Sequence, residues 1–310
     1  MRTAGAASFR LTASMHTILR IEAPKDPMVF SPRIDRGISW ATESSGFLMI
    51  FTIITAVFLA AGGDLPIPGL PSAPPLPTGM RAERMAEGPA FYDVVWINLK
   101  QQTLELFWKD PDGKAFESFA ALESHLQTQG RSLVFATNAG IYARDLTPLG
   151  LHIAQGDTHR TLNQGKGGRG NFFLKPTGVF YVDEAGAHIV TIEAYAAAKY
   201  QPTLAVQSGP LLVIEGALHP KFEAASESRY IRNGIGVLSP EEVVFVLSNR
   251  PVNFHTFASF FRDKLGCQNA LYLDGTLSDF YLPALRRQPK GKEFVGIFAV
   301  SQSAPAKGGF

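Results

Sequence analysis

The chain has 310 residues, 45% of them hydrophobic and 18% charged, with a formal net charge of +2 at neutral pH. That is the balance of a folded protein, and without a Lys/Arg run it excludes a phosphate-tracking nucleic-acid surface. The single cysteine, Cys267, excludes an intrachain disulfide and a cysteine zinc cluster, and its place beside the apolar "NALYL" reads as a small buried hydrophobe.

In chain order, the first signal is "GFLMIFTIITAVFLAAGG" (Gly46–Gly63), a charge-free run preceded by Arg33 and Arg36 and closed by small residues. That is the order of an export signal, and it makes residues 1–63 an N-terminal extension. The run is shorter than the roughly 20 residues that span a bilayer comfortably, so it reads as a signal cleaved after Gly62 or Gly63, or as an uncleaved anchor. No cysteine follows it, which excludes a lipoprotein anchor, and Met28 is an alternative start. Residues 64–90 read as a linker, because the proline-dense "LPIPGLPSAPPLPTG" (Leu65–Gly79) can form neither a helix nor a central strand. One domain of residues 91–302 follows, with a short tail over 303–310. The expected location is therefore the periplasm or the cell exterior, with an inner-membrane tether as the variant.

Within the domain, "FYDVVWINLK" and "QTLELFWKD" read as a hairpin of strands. "SFAALESHLQTQG" fits an amphipathic helix ending at Gly130, and "SLVFATNAG" a buried strand that breaks at glycine. Residues Ile141 to Gly170 read as a long loop region. The pieces "NFFL", "GVFYV", "AHIVTI", "LAVQSG" and "PLLVI" read as short strands, and "GIGVLS" pairs with "EVVFVLS" around Pro240. "NFHTFASFFRDKLG" is a helix capped by Asn253 and closed by Gly266, and "NALYL" and "FVGIFAV" complete the sheet. Many strands with few helices predict an α+β fold with a mixed sheet.

The chemistry turns on "LYLDGTLSDFY" (Leu271–Tyr281). An apolar strand running into Asp-Gly-Thr-Leu is how aspartyl phosphatases begin, but their nucleophile stands two residues earlier, where this chain has Tyr272. Without that carboxylate no aspartyl-phosphate forms, and the segment lies near the end of the chain instead of its start. "NQGKGGRG" is not a phosphate loop, since Gly167 follows Lys166 where Ser or Thr would coordinate magnesium. His152 and His159 match no zinc spacing, so neither a metal nor a cofactor is expected. "VQSGP" lacks the Gly-x-Ser-x-Gly of a nucleophile elbow. Alone, Asp274 reads as a turn-forming Asp-Gly, Arg232 as a surface ion-pair residue and Gln207 as a strand-end amide.

Four strand-end motifs taken together change those readings: "TNAGIY" (Thr137–Tyr142), "VQSGPLLVIEG" (Val206–Gly216), "RNGIGV" (Arg232–Val237) and "ALYLDGTLS" (Ala270–Ser278). In this order and spacing they resemble the phosphodiester glycosidase family, whose animal branch removes N-acetylglucosamine from a sugar phosphodiester. The resemblance covers about Phe91 to Gln302 and extends to poorly characterised exported bacterial members. It implies that Asn138, Gly140 and Tyr142 stand for an Asn-Gly-Gly-Phe motif in which Ala139 replaces a glycine. Gln207, Ser208, Gly209 and Pro210 match unchanged, Arg232 matches the arginine before a Gly-x-Gly turn, and Asp274 and Gly275 match an Asp-Gly-Gly in which Thr276 replaces the last glycine.

The resemblance implies catalytic roles for Asp274, Arg232 and Asn138. Gln207, Ser208, Gly209, Tyr142, Gly275 and Ser278 fall to substrate binding. The chemistry agrees: a sugar 1-phosphodiester breaks with phosphate as the leaving group, so the site must hold negative charge and stabilise a cationic anomeric centre. Arg232 suits the first task and Asp274 the second. The expected partner is a sugar phosphodiester or an envelope glycan. Two rival classes are a non-catalytic envelope glycan-binding protein on the same fold and a tethered envelope structural protein.

Overall fold

The structure, a computed structural model, describes residues 72–304 apart from 144, 166, 275, 276, 288, 290 and 292. The Gly46–Gly63 run, the alternative start Met28, Lys166 and the candidate Gly275 lie outside the described residues. Among the described residues no helix is long and apolar enough to cross a membrane.

The folded body starts earlier than Phe91. Strand β1 (Met80–Glu87) pairs along its whole length with β2 (Ala90–Asn98), so the second half of the expected linker is structured. Its sequence "MRAERMAE" hides this because β1 is a half-exposed edge strand that carries charge instead of an apolar run. Arg81 lies 3.5 Å over the Trp96 ring and Arg84 donates to Asp93 at 2.7 Å, so the charges themselves dock the strand. The expected hairpin of "FYDVVWINLK" with "QTLELFWKD" does not form. Strand β3 (Glu105–Phe107) instead joins a different sheet, while β2 takes β1 and a later strand as neighbours.

Helix α1 (Phe119–Thr128) forms as expected, with the Ser118 hydroxyl accepting from the Ala121 N–H and Phe119, Leu122 and Leu126 buried. Strand β4 (Arg131–Asn138) follows. The expected loop region contains a hairpin, β5 (His152–Ala154) and β6 (Asp157–Arg160), too short and polar to announce itself. "NFF" (Asn171–Phe173) is a single 3-10 turn and not a strand. Then come β7 (Gly178–Asp183), β8 (Gly186–Thr191), the short helix α2 (Ile192–Ala197), β9 (Leu204–Ser208), β10 (Leu211–Ile214) and β11 (Ala217–Leu218). Strands β12 (Asn233–Ser239) and β13 (Glu242–Ser248) pair as expected. Helix α3 (Phe254–Ser259) is capped by Asn253 and continues as one π-helical turn, Phe260–Lys264, that keeps Phe260 and Phe261 both buried. The chain closes with β14 (Asn269–Asp274), β15 (Phe280–Tyr281) and β16 (Ile297–Ser303).

Three sheets result, in the orders β1-β2-β13-β12-β14-β10-β11, β15-β4-β16-β3 and β6-β5-β9-β7-β8. The fold is α+β, and every pairing between these strands is antiparallel. The sheets share one core, in which Phe180 meets Phe298 edge to face and Phe245 packs at a tilt against Phe135 and Phe298. On the outer face of the seven-stranded sheet α3 packs Phe257, Phe260 and Phe261 against Tyr92, Val244 and Tyr272. The "GIG" of β12 is therefore strand and not turn. A side chain at Gly236 would strike Cys267 and Phe261, and one at Gly234 the Leu271 carbonyl and Phe261, so these glycines let the π-helical turn after α3 approach the sheet. Cys267 is buried as expected, and burial pushes its thiol up to about 12.

Candidate active site

Alternation along β12 and β14 sorts the strand-end residues onto two faces. On the inner face Asn233 is fully buried and binds both neighbours. Its Oδ1 accepts from the Asp274 backbone N–H at 2.9 Å and from the Ser278 hydroxyl at 3.1 Å. Its Nδ2 donates to Thr137 Oγ1 and to Asn138 Oδ1, both at 2.9 Å. Asn138 Oδ1 also accepts from the Asp279 N–H at 3.2 Å. Asn233 thus ties the end of β4 to the end of β14, and Asn138, Asp274 and Ser278 come together around it.

On the outer face, Tyr272 stands between two charges. Arg232 donates from Nη1 to the Tyr272 hydroxyl at 3.3 Å, from Nε to the Val252 carbonyl at 2.8 Å and from Nη2 to the Ser228 carbonyl at 2.9 Å. Its guanidinium lies 3.6 Å over the Phe254 ring. Arg232 is fully buried, which lowers its pKa, and among the described residues no carboxylate lies within 4.0 Å of it. Burial raises the Tyr272 pKa, Arg232 draws it down, Asp274 pushes it up and a hydrogen bond from Asn171 lowers it. The hydroxyl is therefore a protonated donor polarised from behind. The Tyr142 pKa is raised by burial and by the Asp274 and Glu293 charges. Asn171, Ser228 and Phe254, which touch Tyr272 or Arg232, also line a cavity of about 310 Å³ with Lys221 and Glu223, so a space that fits a small ligand lies one side chain away from this buried cation.

The Gln207 amide is spent elsewhere. Its Oε1 accepts from Leu151 N–H at 3.1 Å and Asn163 N–H at 2.8 Å, and its Nε2 donates to the Asn163 carbonyl at 2.8 Å, pinning the loop that follows Gly150. Ser208 donates to the Leu273 carbonyl at 3.1 Å, and beyond it Gly209 and the cis Pro210 turn the chain so that the Pro210 carbonyl accepts from Tyr272 N–H at 3.1 Å. Gln207, Ser208 and Gly209 thus shape the site from behind. At the end of β4, Gly140 has φ +74° and faces Val206, so the turn that carries Tyr142 needs glycine there.

Beneath the Asn cluster runs a buried chain of charge. Arg287 donates to Asp93 at 2.9 Å and to Asp279 at 3.2 Å, and both carboxylates are fully buried. Among the described residues no group of three His, Cys, Asp or Glu side chains gathers as a metal site would.

A profile of the phosphodiester glycosidase family matches residues 131–296, which contain all four strand-end motifs. The chain belongs to the phosphodiester glycosidase family. It is similar to the uncharacterized protein YigE of Escherichia coli K12, 37% identical over 186 residues that cover 60% of this chain and 72% of that one. The fold resembles that of the zebrafish N-acetylglucosamine-1-phosphodiester alpha-N-acetylglucosaminidase catalytic domain, with a TM-score of 0.50 at 12% identity over 74% of this chain and 85% of that one. A hypothetical protein from Synechocystis is also similar, with a TM-score of 0.46 at 18% identity over 72% of this chain and 61% of that one.

Within this member of the phosphodiester glycosidase family, three residues of the candidate site escaped the sequence reading. Asn233 stands beside Arg232 in a quoted motif, and strand alternation alone assigns the two to opposite faces. Tyr272 drew notice only for the carboxylate it lacks. Asn171 sits in the "NFFL" segment, whose apolar letters read as strand and hide a turn.

Proposed function

We propose that this phosphodiester glycosidase is a hydrolase that cleaves a sugar-1-phosphodiester at its glycosidic bond in the cell envelope. The observation that carries the reading is Arg232, a fully buried cation with no carboxylate within 4.0 Å among the described residues, donating to Tyr272 beside a small cavity. Such a centre favours an anion such as phosphate. Asp274, whose charge reaches Tyr272, has the charge to stabilise a cationic anomeric carbon or to activate water. In that reaction water oxygen bonds to the anomeric carbon while the carbon–oxygen bond breaks toward phosphate, giving free sugar and a phosphomonoester. The Tyr272 hydroxyl, held protonated, is placed to donate to the phosphate as charge accumulates there.

The substrate named for the zebrafish relative, an N-acetylglucosamine-1-phosphodiester, is the first to try. The Gly46–Gly63 run behind Arg33 and Arg36 supports export, with the domain released or tethered outside the cytoplasm. The test is hydrolysis in oxygen-18 water. Label in the sugar supports this reading, whereas label in the phosphate means the phosphorus–oxygen bond breaks and the enzyme is a phosphodiesterase.

A further inference from the structure

A second cleft lies across the four-stranded sheet. Phe107 pairs with Ile297, which pairs with Asn138, so Phe107 stands two strand spacings, about 10 Å, from the candidate active site. Just past it the chain borders a cavity of about 560 Å³, closed on the other side by the end of α1 and the β5–β6 hairpin. It shares no lining residue with the cavity beside Arg232.

Three rings form its wall. Trp108 and His152 have centroids 5.8 Å apart, His152 and His159 5.9 Å, and Trp108 and His159 6.4 Å, all edge to face. Two polar atoms in this wall, Trp108 Nε1 and His152 Nε2, are buried with no hydrogen-bond partner, and His152 is only 1% exposed. An orphan of this kind is costly to bury, so a native fold carries few without reason. Burial and the neighbouring His159 keep His152 neutral, with its pKa lowered to about 3. His159 lies on β6, exposed at every position, so its ring can swing aside to open the wall.

The geometry points to this cleft as a binding site for a neutral saccharide. An indole face with a stacked pyranose is the usual meeting of an amphipathic ring with carbohydrate, and a sugar hydroxyl both accepts from Trp108 Nε1 and donates to a neutral imidazole nitrogen. The charges on the walls are balanced in sign, Lys109 and Arg131 against Asp110 and Asp157, with Lys109 lying 4.2 Å over one face of the Trp108 ring and Arg131 paired with Glu105. The cleft therefore has no unmet demand for an anion, unlike the space beside Arg232. Its volume lies in the range of small-molecule sites.

The test is titration of the full chain with N,N′-diacetylchitobiose and with maltose, followed by tryptophan fluorescence and calorimetry. At least one disaccharide should bind with a Kd of roughly 1 mM. Trp108→Phe, which keeps a ring and loses the N–H, should weaken it roughly tenfold, and Trp108→Ala should abolish it. His159→Ala, at an exposed position that folding does not need, should change affinity by at least severalfold. Asp274→Asn should leave binding intact, and saccharide binding by a wild type that turns over no sugar phosphodiester counts against the hydrolase reading alone. No saturable binding of either sugar up to about 10 mM, equal affinity in Trp108→Ala and wild type, or competition by inorganic phosphate would overturn the inference.

Discussion

Replacing Asn233 by alanine tests how the two halves of the candidate active site are joined. The side chain is fully buried and makes four hydrogen bonds of 2.9 to 3.1 Å, to the Asp274 N–H, the Ser278 hydroxyl, Thr137 Oγ1 and Asn138 Oδ1. Truncation removes the acceptor of the Asp274 N–H and the donor to Thr137 Oγ1, and leaves Asn138 Oδ1 with the Asp279 N–H alone. At about 1–3 kcal/mol for each buried group left unpaired, and allowing for non-additivity, the loss should be about 3–5 kcal/mol. Asn233→Asp keeps the acceptor oxygen for Asp274 and Ser278 but turns a carboxylate oxygen toward Thr137 Oγ1 and Asn138 Oδ1, so it should cost a similar amount. Urea unfolding of wild type and both variants, with unchanged m-values, gives the numbers. A loss below about 1 kcal/mol for Asn233→Ala would refute the claim that Asn233 holds the ends of β4 and β14 together.

Arg287→Ala should destabilise by about 2–4 kcal/mol, read by the same unfolding assay, because it removes the cation shared by the buried Asp93 and Asp279 carboxylates and leaves Asp93 with Arg84. Tyr272→Phe should keep the fold at a cost of about 1–2 kcal/mol and lower turnover of a sugar phosphodiester roughly tenfold or more, since Arg232 and Asn171 lose the hydroxyl they polarise. His152 gives a pH signature: its pKa falls from 6.5 to about 3 on folding, so its neutral form supports the fold fully above pH 6.5 and that support is lost as pH falls toward 3. Over that window wild type should lose up to about 1.4 kcal/mol per pH unit relative to His152→Phe, and a pH-independent difference between the two would contradict the burial argument.

Much of the outline is legible in the sequence because local patterns decide it. The Ser118 and Asn253 caps, the alternation through "EVVFVLS" and the buried run "NALYL" all carry their own signal. Failures come where a partner distant in sequence supplies the reason. Strand β1 is half polar and becomes a strand through Arg81 on Trp96 and Arg84 on Asp93, contacts that no local window contains. β3 is three residues long and is recruited by β16, almost two hundred residues away. The same holds at the site. Asp274, Asn138 and Arg232 are visible as motif residues, but whether Gln207 faces a ligand or pins a loop depends on Asn163 and Leu151, and only the fold brings these to it. Arg232 reads as a surface ion-pair residue alone. The Phe254 ring of α3 and the Val252 and Ser228 carbonyls enclose it.

The most direct test of the central claim is turnover of an N-acetylglucosamine-1-phosphate diester by wild type and by Asp274→Asn, followed as free sugar released. The account predicts release by wild type and a fall of roughly 10²-fold or more in the variant, with the unfolding midpoint little changed. Equal rates in the two proteins, or no release by wild type across a panel of sugar phosphodiesters, would contradict it.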